Sequence, residues 1–146
     1  YEKVKYYIRE YIKSNIPFGQ KAKLWTKLAT VCRFSKDWDG ESHALTELVQ
    51  IEGVGLEEIS EAANRINNHI YNSMAAKRDE YKTEMLKIVI DSFSAHINNG
   101  DATDYSRLGW LLLNNNNAEE AKKMAEKGLE IDPTNKYCQK LIEKLS

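Results

Sequence analysis

The stretch that decides the fold runs from Tyr105 to Pro133 and reads YSRLGWLLLNNNNAEEAKKMAEKGLEIDP. Its apolar side chains recur every three or four residues on both sides of four asparagines, which predicts two helices joined by a turn. Gly109 in the first helix and Ala121 in the second are small, so the two helices can approach each other closely. Pro133 cannot continue a helix and ends the second one. The stretch therefore predicts a helix–turn–helix.

The same spacing of three and four continues through the rest of the chain, so we expect an all-α protein of seven or eight helices without a sheet. The predicted helices cover residues 1–14, 19–34, 41–51, 56–74, 77–97, 103–113, 118–131 and 134–145. We expect a turn over residues 35–40, a left-handed Gly100 and an N-cap at Thr134. The first helix carries an apolar stripe that we expect to face the core: Val4, Tyr7, Ile8, Tyr11 and Ile12.

Residues 105–133 resemble the tetratricopeptide repeat, a helix–turn–helix of about 34 residues. The matching positions, in order, are Tyr105, Leu108, Gly109, Leu112, Ala121, Ala125 and Pro133, with Leu112 and Ala125 standing where the family has Tyr and Phe. Weaker half-repeats resemble the same pattern from Trp25 and from Ile59. The resemblance implies one α-solenoid domain of antiparallel helix pairs over residues 1–146. A plain helical bundle with one accidental match is the alternative.

Within that domain, we expect residues 1–18 to hold an N-terminal capping helix, residues 19–133 the degenerate repeats and residues 134–146 a C-terminal capping helix. Residues 104–120 are also similar to helical repeats at the C-terminal end of large bacterial signalling NTPases. The chain has no Walker motif, so any nucleotide chemistry would lie outside this sequence. Because residue 1 is Tyr and not Met, we expect the sequence to be a fragment of a longer protein or a processed form.

Composition places the chain among ordinary globular domains. Of its 146 residues, 42% are hydrophobic and 29% are charged, and the net charge is −1. This balance argues against a globally basic nucleic-acid binder, and the absence of a long apolar run argues against a membrane span or a secretory signal. We therefore expect a cytoplasmic protein. Charge is uneven, however: residues 1–36 hold nine basic and two acidic side chains, and residues 37–62 hold eight acidic ones and no Lys or Arg.

No motif in the sequence supports catalysis or a bound cofactor. The three histidines are far apart and form no His-Glu-x-x-His pair, so we expect no metal site. The acidic run from Asp37 to Glu41 lacks the ligand pattern of a calcium loop and fits a turn. Cys32 and Cys138 have no metal-spaced neighbours and are predicted to be buried thiols. The sequence therefore favours a protein that is not an enzyme and needs no cofactor.

In tetratricopeptide proteins the first helix of each pair lines a concave groove, and the resemblance implies the same here. Carried over, the partner-binding residues are Lys23, Lys27, Asn64, Asn67, Asn68, Arg107, Trp110 and Asn114. Asn can bond a peptide backbone, Lys and Arg suit carboxylates, and Trp offers a flat anchor. Arg107 and Lys27 partly match the two-carboxylate clamp of chaperone-binding repeats, but Thr103 stands where a second basic residue is expected.

These residues predict a non-catalytic protein-interaction, scaffold or autoregulatory module. Its partner would be a protein or peptide, acidic or extended, or another domain of the same chain. The alternative from another class is a helical nucleic-acid-binding domain that uses the basic N-terminal segment, although nucleic acid is the less favoured partner. A third reading is an enzyme with a site around His69 and His96. The groove could also be filled by the chain's own helices.

Overall fold

The computed structural model describes residues 1–69 and 79–146, and for Asp79 the backbone alone. These residues form eight α-helices and one 3-10 turn, with no β-strand among them. The helices are α1 (Glu2–Lys13), α2 (Phe18–Phe34), α3 (Trp38–Val49), α4 (Leu56–His69), α5 (Asp79–His96), α6 (Ala102–Asn114), α7 (Ala118–Ile131) and α8 (Lys136–Leu145). The predicted helix end near residue 74 and start near residue 77 lie outside the described residues. No described helix combines the length and the apolarity that crossing a bilayer requires.

Helix capping explains where three predictions about the helix ends are wrong. The turn predicted over residues 35–40 is too long, since Asp37 caps α3 by accepting a hydrogen bond from the backbone N–H of Gly40 at 3.0 Å. Asn135, not Thr134, caps α8 by accepting from the N–H of Cys138 at 2.9 Å. Gly100 has φ −73° and ψ 156° and is extended, not left-handed, because a 3-10 turn has already ended α5.

The helices pack as successive pairs. α2 lies against α3, α4 against α5, and α6 against α7. Contacts also link the pairs to one another. α6 packs against α4, the first helix of the preceding pair, and against α8, the helix that follows α7. α3 and α5, the second helices of the first two pairs, also pack against each other. This arrangement leaves α4, α6 and α8 side by side, which is what builds the candidate site.

The shared core explains why small residues stand between the helices. Ala29, Ala44, Ala63, Ala121 and Ala125 are all fully buried. A Cβ on Gly109 would come 2.5 Å from Cδ2 of Leu141 and 3.3 Å from the carbonyl oxygen of Ala121. Two helices therefore approach α6 at the same residue, and a Cβ there would require the buried Leu141 side chain to move.

The predicted core stripe of α1 is partly wrong. Ile8 and Ile12 are buried as expected, but Val4, Tyr7 and Tyr11 are exposed. The third buried residue of α1 is Lys5, whose Nζ lies 3.0 Å from Oε1 of Glu2 and 3.1 Å from Oδ2 of Asp37. Apolar spacing alone could not show this, because a lysine with two carboxylate partners takes the position that a hydrophobic residue would otherwise fill.

A second ion pair lies between α3 and α4. Nη2 of Arg65 is 3.3 Å from Oε2 of Glu41, and both side chains are buried. Nη1 of Arg65 also reaches Oγ1 of Thr30 on α2 at 3.4 Å. Arg65 thus connects the first pair of helices to the second.

Candidate functional site

The candidate site is a groove of about 560 Å³ between α4, α6 and α8, which we call the amide–basic groove. Helix α5 adds one side chain to its wall, Lys82. Its lining residues are Asn64, Asn67, Asn68, Lys82, Ser106, Arg107, Trp110, Leu113, Asn114, Asn116, Tyr137, Lys140 and Lys144. Four of these are cations and none is acidic. The groove therefore offers a ligand positive charge, amide groups and two aromatic rings.

Helical spacing places these side chains on common faces. Arg107, Trp110 and Asn114 are three and four residues apart on α6, so they project from one side of that helix. Their opposite side carries Tyr105, Leu108 and Leu112, which are buried. The core stripe of α6 thus fixes which residues face the groove.

The Arg107 side chain is held by α4. Its Nη1 donates to Oγ of Ser60 at 3.0 Å and lies 3.8 Å from Oε2 of Glu61. Ser60 in turn donates to Oδ1 of Asp104 at 2.5 Å. Asp104 is itself fixed, since it forms a reciprocal capping box with Asp101 at the start of α6. Arg107 is therefore positioned before any ligand arrives.

Two asparagines tie the walls of the groove together. Nδ2 of Asn67 donates to the carbonyl oxygen of Arg107 at 3.2 Å, and Nδ2 of Asn114 donates to Oδ1 of Asn67 at 3.1 Å. Asn64 and Asn68 have no such bond to another described residue. The amide groups thus divide between joining α4 to α6 and facing the groove.

The wall formed by α8 is aromatic and cationic. Tyr137 is 60% exposed, and Lys140 and Lys144 are exposed on the same face of the helix. Nζ of Lys144 lies 5.8 Å from the centre of the Trp110 ring, which is within cation–π range. A ligand carboxylate that pairs with Lys144 would compete with this contact.

Six of the eight predicted site residues meet in the amide–basic groove: Asn64, Asn67, Asn68, Arg107, Trp110 and Asn114. Lys23 and Lys27 do not line it. Lys23 lines a separate cleft with Phe18 and Ile51, and Lys27 is exposed elsewhere on α2. The predicted continuous lining is wrong at α2, because this helix packs mainly on α1 and α3 and not beside α6. Thr103 departs from the clamp pattern, and its Oγ1 accepts a hydrogen bond from Nδ2 of Asn135 at 3.4 Å.

Sequence reasoning missed Lys82, Tyr137, Lys140 and Lys144. The last three lie on α8, which was predicted to be a capping helix and not a wall of the site. A signal was present in the sequence. An offset of 33 residues aligns the buried Tyr105 and Leu108 with the buried Cys138 and Leu141, and it aligns Arg107 with Lys140. α8 thus repeats the core spacing of α6, and its other face lies beside the groove.

Cys32 and Cys138, the two cysteines, are free and buried, as predicted. Burial raises the pKa of the Cys32 thiol to about 11, and the nearby Asp37 carboxylate adds to the effect. Burial likewise raises the pKa of Cys138 to about 11. Since the thiolate is the reactive form, both positions are unfavourable for nucleophilic chemistry at neutral pH.

The two histidines considered as a catalytic pair have separate partners. The ring of His69 stacks on that of Trp38, with 5.1 Å between centroids, and its Nε2 lies 3.7 Å from Oε1 of Glu41. Nδ1 of His96 is bonded to the carbonyl oxygen of Ser92 at 2.8 Å. In residues 1–69 and 79–146, no three His, Cys, Asp or Glu side chains are grouped so that they could hold a metal ion.

The fold is similar to that of a solved tetratricopeptide-repeat structure, the Arabidopsis OM64 TPR domain, with a TM-score of 0.56 at 13% sequence identity. The alignment covers 88% of this chain and 97% of that domain. No protein-family model matches the sequence, and no curated protein matches it significantly. The structural likeness shows the fold, and the predicted α-solenoid of tetratricopeptide-like antiparallel helix pairs is confirmed. The bacterial signalling context expected from residues 104–120 has no support in these similarities and stays a prediction.

Proposed function

We propose that this chain is a non-catalytic interaction module that binds an acidic, extended peptide segment in the amide–basic groove. The segment belongs to a partner protein or to another part of the same protein. The observation that carries the proposal is the convergence of Lys82, Arg107, Lys140 and Lys144 on one groove that no described acidic side chain lines. Such a groove attracts negative charge and disfavours basic partners.

The amides add recognition of the peptide backbone. A side-chain amide can donate to a carbonyl and accept from an N–H, so Asn64 and Asn68 can pair with an extended main chain whatever its sequence. Arg107 presents a planar guanidinium held by Ser60 and Glu61, and this reduces the ordering cost when a ligand binds. We therefore assign sequence-tolerant binding to the amides and charge preference to the cations.

Trp110 supplies the apolar anchor. It is partly exposed between Arg107 and Asn114, with Lys144 above its ring. Aromatic side chains that become fully covered at the centre of an interface are frequent hot spots. An acidic peptide with an apolar residue beside its carboxylates matches this arrangement.

The proposal is tested by titrating the protein with acidic peptides of about ten residues and measuring heat and Trp fluorescence. Lys140→Ala/Lys144→Ala removes two groove cations that have no hydrogen bond to a described acidic side chain. If each ion pair contributes about 0.5–1 kcal/mol, the double variant binds roughly 5- to 30-fold more weakly. Trp110→Ala weakens binding by about 30-fold if it is a hot spot.

The matched control is Lys122→Ala/Lys127→Ala, which removes the same charge from two exposed positions on α7, outside the groove. We expect it to bind as the wild type does. Equal loss in both double variants would show that net charge alone drives binding, and it would contradict the assignment of the groove. Preference for basic over acidic peptides would also contradict the proposal.

A further inference from the structure

The exposed residues of α1 and α2, two helices that pack against each other, combine aromatic rings with positive charge. Among the described residues, nine large hydrophobic side chains are exposed, and seven of them lie within residues 1–34: Tyr1, Val4, Tyr6, Tyr7, Tyr11, Phe18 and Phe34. The same part of the chain carries the basic excess, with nine Lys or Arg against two Glu in residues 1–36. Most of these cations are exposed. This surface takes no part in the amide–basic groove.

A cleft of about 590 Å³ lies within this surface, between α1, α2 and α3, and we call it the N-terminal cleft. Tyr6, Trp25 and His43 supply rings to its lining, and Arg9 and Lys13 supply charge. The Trp25 and His43 rings meet edge to face, with 6.1 Å between centroids. The Tyr6 side chain is 59% exposed, and its ring meets that of Tyr7 edge to face with 5.6 Å between centroids.

The two acidic residues of the cleft each have a lysine partner, although the lysine beside Glu2 also pairs with Asp37. Oε1 of Glu10 lies 3.2 Å from Nζ of Lys13, and Oε1 of Glu2 lies 3.0 Å from Nζ of Lys5. The guanidinium of Arg9 has no ion pair at such a distance with a described carboxylate, although it contributes to lowering the pKa of Asp37. Arg9 therefore remains available to an anionic ligand.

We infer that the N-terminal cleft, with the basic face around it, binds single-stranded nucleic acid. Bases stack on Tyr6 and Trp25, and phosphates pair with Arg9 and the neighbouring exposed lysines. Aromatic side chains set among cations are the usual means of binding single strands without sequence preference. The function is separate from peptide binding in the amide–basic groove and does not depend on it.

The rings and cations of this surface together suit a single strand, because bases can stack on the rings while phosphates pair with the cations. Here most of the cations are Lys, including Lys3, Lys21, Lys23 and Lys36. Because the affinity of phosphate contacts comes from counterion release, Lys and Arg are equally useful on a nucleic-acid surface.

The test is fluorescence anisotropy with a labelled oligo(U) or oligo(dT) strand of about 12 nucleotides, at salt concentrations from about 50 to 200 mM. With about three phosphate contacts, the logarithm of the binding constant falls against the logarithm of salt with a slope near −2. Arg9→Ala removes the cation of the cleft that pairs with no described carboxylate and reduces the size of that slope by about 0.7. Lys122→Ala on α7 is the matched control and leaves the slope unchanged.

Tyr6→Leu tests stacking separately from charge. Leu keeps an apolar side chain but has no aromatic face, so we expect affinity to fall roughly 5- to 150-fold with the salt slope unchanged. No binding at 50 mM salt, wild-type affinity of Tyr6→Leu, or equal affinity for duplex DNA would each overturn the inference. Displacement of the strand by polyglutamate at the same charge concentration would overturn it too, because it would show a surface for acidic proteins.

Discussion

A Cβ at Gly109 would collide with the buried Leu141 side chain from α8 and press on the Ala121 carbonyl oxygen from α7. Gly109→Ala should therefore destabilise the fold by about 1–3 kcal/mol, although alanine favours helix more than glycine does. Thermal or urea unfolding measures this change. Gly19→Ala is the control, because a Cβ at Gly19 meets nothing within 4 Å and should leave stability equal or slightly higher. A Gly109→Ala protein as stable as the Gly19 variant would contradict the packing described.

Asp37 makes stability depend on pH. Burial alone would raise the pKa of its carboxyl, but the hydrogen bond from the Gly40 N–H and the Lys5 ammonium bring that pKa below its ordinary value of 3.8. The ionised group therefore stabilises the fold fully above pH 3.8, and this contribution is lost as the pH falls through the lower folded pKa. We expect Asp37→Asn to keep the cap but lose about 1–3 kcal/mol, because Lys5 stays buried with Glu2 as its remaining partner.

Unfolding free energies of the Asp37→Asn protein measured from pH 7 to pH 2 check this expectation. The difference between variant and wild type should shrink as the pH falls below about 3.8, because protonated Asp37 no longer differs in charge from Asn. Asp91→Asn, at an exposed carboxylate on α5, serves as the control and should change stability by less than about 0.5 kcal/mol. A difference at Asp37 that is constant with pH would contradict the role given to the ion pair with Lys5.

At the scale of the element, α8 joins the core through Cys138 and Leu141 and joins the groove through its other face. The position of α8 depends on the residue at which the helix begins, and Asn135 is the N-cap at that end. We expect Asn135→Ala to cost about 1 kcal/mol, because the N–H of Cys138 loses its acceptor. Urea unfolding measures the cost.

Thr134→Ala provides the comparison for that cap. The Thr134 hydroxyl bonds to the exposed Asp132 carboxylate and not to the N–H groups of α8. We therefore expect this change to cost less than the change at Asn135. A larger cost at Thr134 would restore the cap position expected from the sequence alone.

The sequence predicted helices and their order well, because buried apolar residues recur every three or four positions from α2 to α8. It was weaker where polar residues decide the structure. Lys5 is buried through its two carboxylate partners, and Trp38 is helical because Asp37 caps α3. Neither effect is visible in apolar spacing.

For the molecule as a whole, the sequence predicted the groove-lining residues of α4 and α6. It did not predict that α2 lies outside the groove or that α8 lines it. Residues of α4 and α6 were placed together correctly, because both helices keep the spacing of the matched repeat. α2 keeps a similar spacing but packs away from α6, so Lys23 and Lys27 lie elsewhere. α8 joins the site although it repeats only the core spacing of α6, at an offset of 33 residues, and not the full repeat pattern.

The central claim is that the amide–basic groove binds an acidic peptide, and one measurement tests it most directly. Amide chemical shifts of the labelled protein are followed while an acidic peptide of about ten residues is added. We predict that the largest shifts occur at Asn64, Arg107, Trp110 and Lys140, on the three helices that form the groove. Shifts confined to α1 and α2, or no shifts at millimolar peptide, would contradict the claim.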